Sequence, residues 1–270
     1  AGLARSGHTV VGLDFNSDLI ENLQNARVPV SELGLSELIH EMLKKEALSF
    51  TLDPCDAVSD ADVLWITFDT PVDDQDNAEV THIEKNFDRV APFVRDGMRI
   101  IISSQVPVGF TRYLSDQFNK KNPSKSVHFA YSPENLRLGK SLKIFLDPDR
   151  IIVGVRHEEK EHFLPVFAPI SDRLEWMSIE SAEMTKHAIN AFLATSICFA
   201  NEIASVCERM GANAKEVERG LKTEERIGPK AYLNPGNAFS GGTLARDVQF
   251  LQTIGKNNHL PMYLIKSVLE

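Results

Sequence analysis

The side chains best placed to do chemistry in this sequence stand in two settings. In the first, polar residues close short apolar runs: Asp14 ends 9–14, Thr70 and Pro71 follow 63–68, Ser103 and Ser104 end the run from 98, and Glu134 follows 127–131. If those runs are strands of an open parallel sheet, ligands bind in the crevice beyond their carboxyl ends. An acidic side chain there accepts hydrogen bonds from an adenosine ribose and repels the additional phosphate of NADP, so Asp14 favours NAD. A plainer explanation carries equal weight. Asp is common after strands, Thr70-Pro71 makes an ordinary turn, and a serine pair can satisfy only its own backbone. In the second setting, Lys186 and Asn190 stand four residues apart in a long helical stretch, which puts both on one face, able to address one substrate atom. Spacing alone prefers a solvated lysine and a hydrogen-bonded core amide.

The elements that would position these residues are legible as alternation. Strand-like runs at 9–14, 63–68, 98–103, 127–131 and 151–155 are each followed by helical patterns, among them 18–24, 35–43, 81–94 and 111–119. That order predicts a doubly wound α/β domain with a parallel sheet and right-handed crossovers. Near Glu175 the pattern changes. Residues 181–210 read as a helix of about eight turns, apolar nearly all round from 188 to 200, and so buried on most faces. More helix is expected at 214–221, 244–253 and 261–269, after a Gly and Pro rich stretch at 228–242. The first residues read as the last turn of a helix stopped at Gly7, which implies that the first strand of the sheet is missing.

With 270 residues, 43% hydrophobic and 25% charged, the composition is that of a globular protein with a substantial core. A formal net charge of -9 argues against a general nucleic-acid partner, which needs an excess of Lys and Arg. Cys55, Cys198 and Cys207 have neither paired nor metal-ligand spacing, so no disulfide framework and no metal site are expected. With no signal-peptide pattern and no apolar run of spanning length, the reading is a cytoplasmic protein without a membrane partner.

Several segments, in order, resemble the successive motifs of the UDP-glucose/GDP-mannose dehydrogenase family. They are Gly7-His8-Thr9-Val10-Val11-Gly12-Leu13-Asp14, Asp69-Thr70-Pro71, Ser104-Gln105-Val106-Pro107, Ser132-Pro133-Glu134 and Pro148-Asp149-Arg150. Lys186-His187-Ala188-Ile189-Asn190-Ala191-Phe192-Leu193-Ala194, Arg226-Ile227-Gly228 and Gly241-Gly242 follow. The resemblance implies a Rossmann-like NAD-binding domain over 1–175 and an all-helical central dimerisation domain over 176–270. It also implies a homodimer through the 181–210 helix, with the family's third, nucleotide-sugar-binding domain absent.

The resemblance further implies roles. Lys186 would stabilise a developing alkoxide or act as base, and Asn190 would hold an oxygen or water. Glu134 would help activate the water of a hydrolytic step, although pairing with Arg137 would explain it equally. Asp247 would orient a water. Arg226 would reach the neighbouring subunit's substrate site, with Gly241 and Gly242 against the substrate, unless it is a plain surface arginine. The implied activity is NAD-dependent oxidation of a nucleotide sugar for polysaccharide precursors.

Departures from the family pattern cut against part of this. Members that make the acid carry a cysteine soon after the double glycine, and here the segment reads Ser240-Gly241-Gly242-Thr243-Leu244-Ala245-Arg246-Asp247. Either Thr243 or Leu244 occupies the nucleophile's place, and neither replaces a thiol. Gln105 stands where the family commonly has Thr, and Leu138 where it has Glu. The glycine loop that holds the cofactor pyrophosphate is also missing, which predicts weak NAD binding. Two rivals follow: a catalytically retired NAD or nucleotide-sugar binding protein, and a hydroxyacid-type dehydrogenase.

Overall fold

A computed structural model describes residues 1–71, 79–134, 136–137, 139–239 and 242–270. Its strands grow from the β-branched runs. β1 (Val10–Leu13) and β2 (Leu48–Thr51) pair in parallel, Val10 opposite Leu48. β3 (Val63–Ile66), β4 (Arg99–Ile102), β5 (His128–Tyr131), β6 (Ile151–Gly154) and β7 (Leu174–Met177) form a five-stranded sheet in sequence order. β4 shows why an unbroken apolar run becomes a central strand. Ile100, Ile101 and Ile102 are all fully buried, as a strand covered on both faces requires. Successive side chains point to opposite faces. Ile100 and Ile102 accordingly join one core with Phe87, Leu114, Phe118 and Phe129, and Ile101 another with Val153, Phe163 and Phe167. Each such burial contributes about 1.5–3 kcal/mol.

The sheet is parallel through β3, β4 and β5, but β6 joins β5 antiparallel at Tyr131 and Gly154 and carries β7 parallel to itself. The run at 151–155 gives no sign of its direction, because β-branched periodicity is the same either way. Gly154 ends β6 beneath the start of the long helix. A Cβ there would fall 2.6 Å from the Ala182 Cβ and 2.9 Å from the Ile179 Cα, so only glycine admits this approach.

The helices are α1 (Gly2–Arg5), α2 (Ser17–Gln24), α3 (Leu35–Lys44), α4 (Pro54–Val58), α5 (Thr81–Val90), α6 (Phe110–Lys121), α7 (Ser141–Leu146), α8 (Lys160–Phe167), α9 (Ile179–Met210), α10 (Ala214–Lys222), α11 (Gly242–Asn257) and α12 (Tyr263–Ser267). The helix expected over 81–94 stops at Val90 and ends in a 3-10 turn, Ala91–Phe93, where Pro92 has no N–H to continue the ladder.

The chain divides into two compact units, one holding 1–71 and 79–183 and the other 184–270. In the second, α9 presents Ala191 and Ala194 to Val248 and Leu251 of α11, and Val268 joins them. The expectation that α9 is buried on most faces is corrected. Met184, Phe192, Phe199, Val206 and Met210 form an exposed apolar stripe, with Phe192 71% and Met210 77% exposed. The cause lies in the covering elements: α11 and the residues packed with it take only one side of α9. The expectation of no apolar run of spanning length is also corrected: α9 has the length, and in an 18-residue window the mean hydropathy (1.3), to cross a membrane. Its buried Glu183, His187 and Asn190 each hydrogen-bond protein groups, which is the pattern of a core helix.

Candidate active site

The beginning of α9 is held by its own polar residues. Ser178 caps it, its Oγ accepting from the Ser181 N–H at 3.2 Å. Glu183, fully buried, accepts from the Gly109 N–H at 2.6 Å and the Thr111 N–H at 2.9 Å. Those donors belong to the start of α6, whose first N–H groups have no partner within the helix. Burial pushes the Glu183 carboxyl above its usual range and outweighs the pull of the backbone N–H groups. On the exposed side, Arg112 pairs with Glu180 and holds that carboxyl below its usual range.

Among the described residues of the second unit five polar ones lie buried: Lys186, His187, Asn190, Ser196 and Asp247. Asp247, on the second turn of α11, joins two of them. Its Oδ1 is 2.5 Å from His187 Nδ1, and its Oδ2 accepts from Asn190 Nδ2. His187 and Asn190 are three apart and therefore face α11 together. The His187 ring also packs on Phe250, with centroids 5.0 Å apart. Each oxygen of Asp247 thus already has a protein donor, so its geometry is that of an organiser of neighbouring side chains. The part of His187 is not legible in the sequence, because its partner lies 60 residues away.

Thr243 is exposed and Leu244 half-buried on the first turn of α11, which begins at Gly242; Gly241 and Leu138 lie outside the described residues. Arg226 is exposed and donates to Glu224 at 2.7 Å, and its side-chain and backbone hydrogen bonds hold the Glu224 carboxyl below its usual range. Glu134 is exposed and accepts from the Leu136 N–H at 2.8 Å.

The strand-end residues of the first unit separate into two kinds. Thr70 Oγ1 donates to the Gln105 carbonyl at 2.7 Å, and Ser103 Oγ accepts from Trp65 Nε1 at 2.7 Å while donating to the Ser132 carbonyl at 2.5 Å. Both hydroxyls tie strand ends together. Pro71 follows and accepts from the Glu79 N–H at 2.8 Å. Ser104 differs: its Oγ is buried and has no protein partner. A buried polar atom without a partner calls for one from outside. Asp14 gives one oxygen to the Asn16 N–H at 2.9 Å, which leaves the other for a ribose hydroxyl. The orphaned Ser104 hydroxyl and the half-committed Asp14 carboxylate at strand ends fit a dinucleotide.

Residues 1–170 match the UDP-glucose/GDP-mannose dehydrogenase family, NAD binding domain, and residues 180–270 match the same family's central domain. The chain is similar to the UDP-glucose 6-dehydrogenase of Rickettsia bellii, 32% identical over 268 residues that cover 98% of this chain and 61% of the relative. It is 31% identical to the UDP-glucose 6-dehydrogenase of Rhizobium meliloti over 270 residues, covering 97% of this chain and 62% of that one. Among solved structures, a UDP-glucose dehydrogenase from the hyperthermophilic archaeon Pyrobaculum islandicum matches with a TM-score of 0.92 and 30% identity, over 99% of this chain and 63% of that one. The chain spans less than two thirds of the length of each of these relatives.

Proposed function

The chain belongs to the UDP-glucose/GDP-mannose dehydrogenase family, and from that premise we propose that it oxidises the sugar alcohol of a nucleotide sugar with NAD as acceptor, for polysaccharide precursors. The observation that carries this is the buried set of Lys186, Asn190 and Asp247, in which Asn190 donates to Asp247. NAD, when bound, supplies the hydride acceptor. Asp14 and Ser104 hold it at the strand ends, with Thr70, Pro71 and Ser103 shaping the crevice. Lys186 places positive charge where the alkoxide develops, and its burial strengthens that interaction. Asn190 accepts a hydrogen bond from the sugar hydroxyl before its proton leaves. Asp247 organises Asn190, and the exposed Glu134 takes up the hydroxyl proton through water. Gly241 and Gly242 let the substrate approach.

The exposed stripe of α9 supports a homodimer through 181–210, in which Arg226 of one copy reaches the other's sugar. The domain assignment follows as 1–175 for NAD and 176–270 for dimerisation, in a cytoplasmic protein. Without a thiol near Gly242, a covalent thioester route has no nucleophile, so the expected product of turnover is the aldehyde. The same departure supports the second reading, a binding protein that has lost its chemistry. The test is NADH formation with UDP-glucose, related UDP-sugars and GDP-mannose in turn. No NADH from any of them, with nucleotide-sugar binding still measurable, would overturn the enzymatic reading and favour the binding protein.

A further inference from the structure

We propose that His187 is a positioning residue of this centre: through Asp247 it fixes which end of the Asn190 amide the substrate meets. The inference rests on the reading of Asn190 as a substrate-binding group. An ionised carboxylate only accepts, so the short contact between His187 Nδ1 and Asp247 Oδ1 requires the ring proton on Nδ1. The other oxygen takes the Asn190 Nδ2 proton. An amide whose nitrogen is turned to α11 presents its carbonyl oxygen away from it, as an acceptor. A reacting sugar hydroxyl donates a proton, and an acceptor is the end it needs. All three residues are buried, so no water substitutes for a lost donor and the arrangement stands or falls together. Without the His187 donor, Oδ1 of a buried carboxylate loses its charge-assisted bond. The carboxylate then turns, and the amide is free to flip and present N–H groups instead.

A merely structural histidine would leave chemistry unaffected once the protein is folded. His187→Phe keeps the ring against Phe250 but removes the donor, whereas His187→Asn places an amide N–H near the position of Nδ1. In the full natural chain we expect His187→Phe to lower kcat about 10- to 100-fold, the scale of a small misplacement at a reaction centre, with the sugar KM little changed. His187→Asn restores most of it. Equal kcat losses in the two variants, or a wild-type kcat in His187→Phe, would overturn the proposal. A readout independent of turnover is the Asn190 side-chain amide signal in 15N-labelled protein. One ordered, solvent-protected pair is expected in wild type and His187→Asn, displaced in His187→Phe. If wild type oxidises no nucleotide sugar, the enzymatic reading fails, yet the amide signals still decide the positioning: an unmoved pair in His187→Phe rejects it, and a displaced pair supports it.

Discussion

Replacing Glu183 tests how the long helix is anchored. Its two oxygens satisfy the Gly109 and Thr111 N–H groups at the start of α6. Glu183→Ala leaves both donors without an acceptor in a buried place, at about 1–3 kcal/mol for each. Relief from burying a carboxylate offsets part of this, for a net loss of about 2–4 kcal/mol. Glu183→Gln behaves differently. Burial raises the folded-state pKa of Glu183, so the folded protein binds more protons than the unfolded chain between the ordinary carboxylate value and the raised one. The sign follows directly: wild-type stability from this group is fully present below the ordinary value and is lost as pH rises through the raised one. Gln does not titrate, but its amide nitrogen cannot accept, so one of the two α6 N–H groups loses its acceptor at about 1–3 kcal/mol. Glu183→Gln should be less stable than wild type in acid by about 1–3 kcal/mol, with the gap narrowing as pH rises. Urea unfolding followed by tryptophan fluorescence reads this unit, because Trp65 and Trp176 both lie in its sheet. A wild type that becomes more stable relative to Glu183→Gln as pH rises would refute the reasoning, as would a Glu183→Ala variant of wild-type stability.

Other substitutions probe the rest of the account. Gly154→Ala forces a Cβ into the Ile179 and Ala182 backbone approach and should cost about 1–3 kcal/mol, seen as a lower urea midpoint for the first unit. Ser104→Ala removes a hydroxyl with no protein partner, so stability should stay within about 0.5 kcal/mol while the Kd for NAD rises in calorimetry; unchanged NAD affinity would remove Ser104 from the cofactor site. Phe192→Glu puts a charge in the middle of the exposed α9 stripe and should shift the molar mass measured by light scattering from dimer to monomer, with an unchanged mass counting against that interface.

Much of the architecture was legible because burial on both faces leaves a mark in composition. The Ile100 to Ile102 run is one such case. β2 and β7 left a weaker mark, since Ser49 and Glu175 interrupt strands that are only partly covered. Short helices such as α4 and α7 have too few turns to show a period. Within the site, Lys186 and Asn190 were legible because four-residue spacing is a local signal. The Asp247 contacts to His187 and Asn190 join helices distant in sequence, and no periodicity encodes such a pairing. Ser103 and Ser104 show the same limit at one-residue scale. They are adjacent and alike, yet the hydroxyl of Ser103 is taken by Trp65 and Ser132 while that of Ser104 has no partner, and only the three-dimensional arrangement distinguishes them.

The proposed reaction is an NAD-dependent oxidation of a nucleotide sugar that proceeds without a cysteine nucleophile. Counting NADH formed per nucleotide sugar consumed, with the aldehyde trapped by a hydrazine reagent, tests it most directly. One NADH per sugar together with trapped aldehyde is the predicted result. No NADH with any nucleotide sugar would contradict the oxidation itself, and two per sugar with free acid as product would contradict the claim that loss of the thiol stops the reaction at the aldehyde.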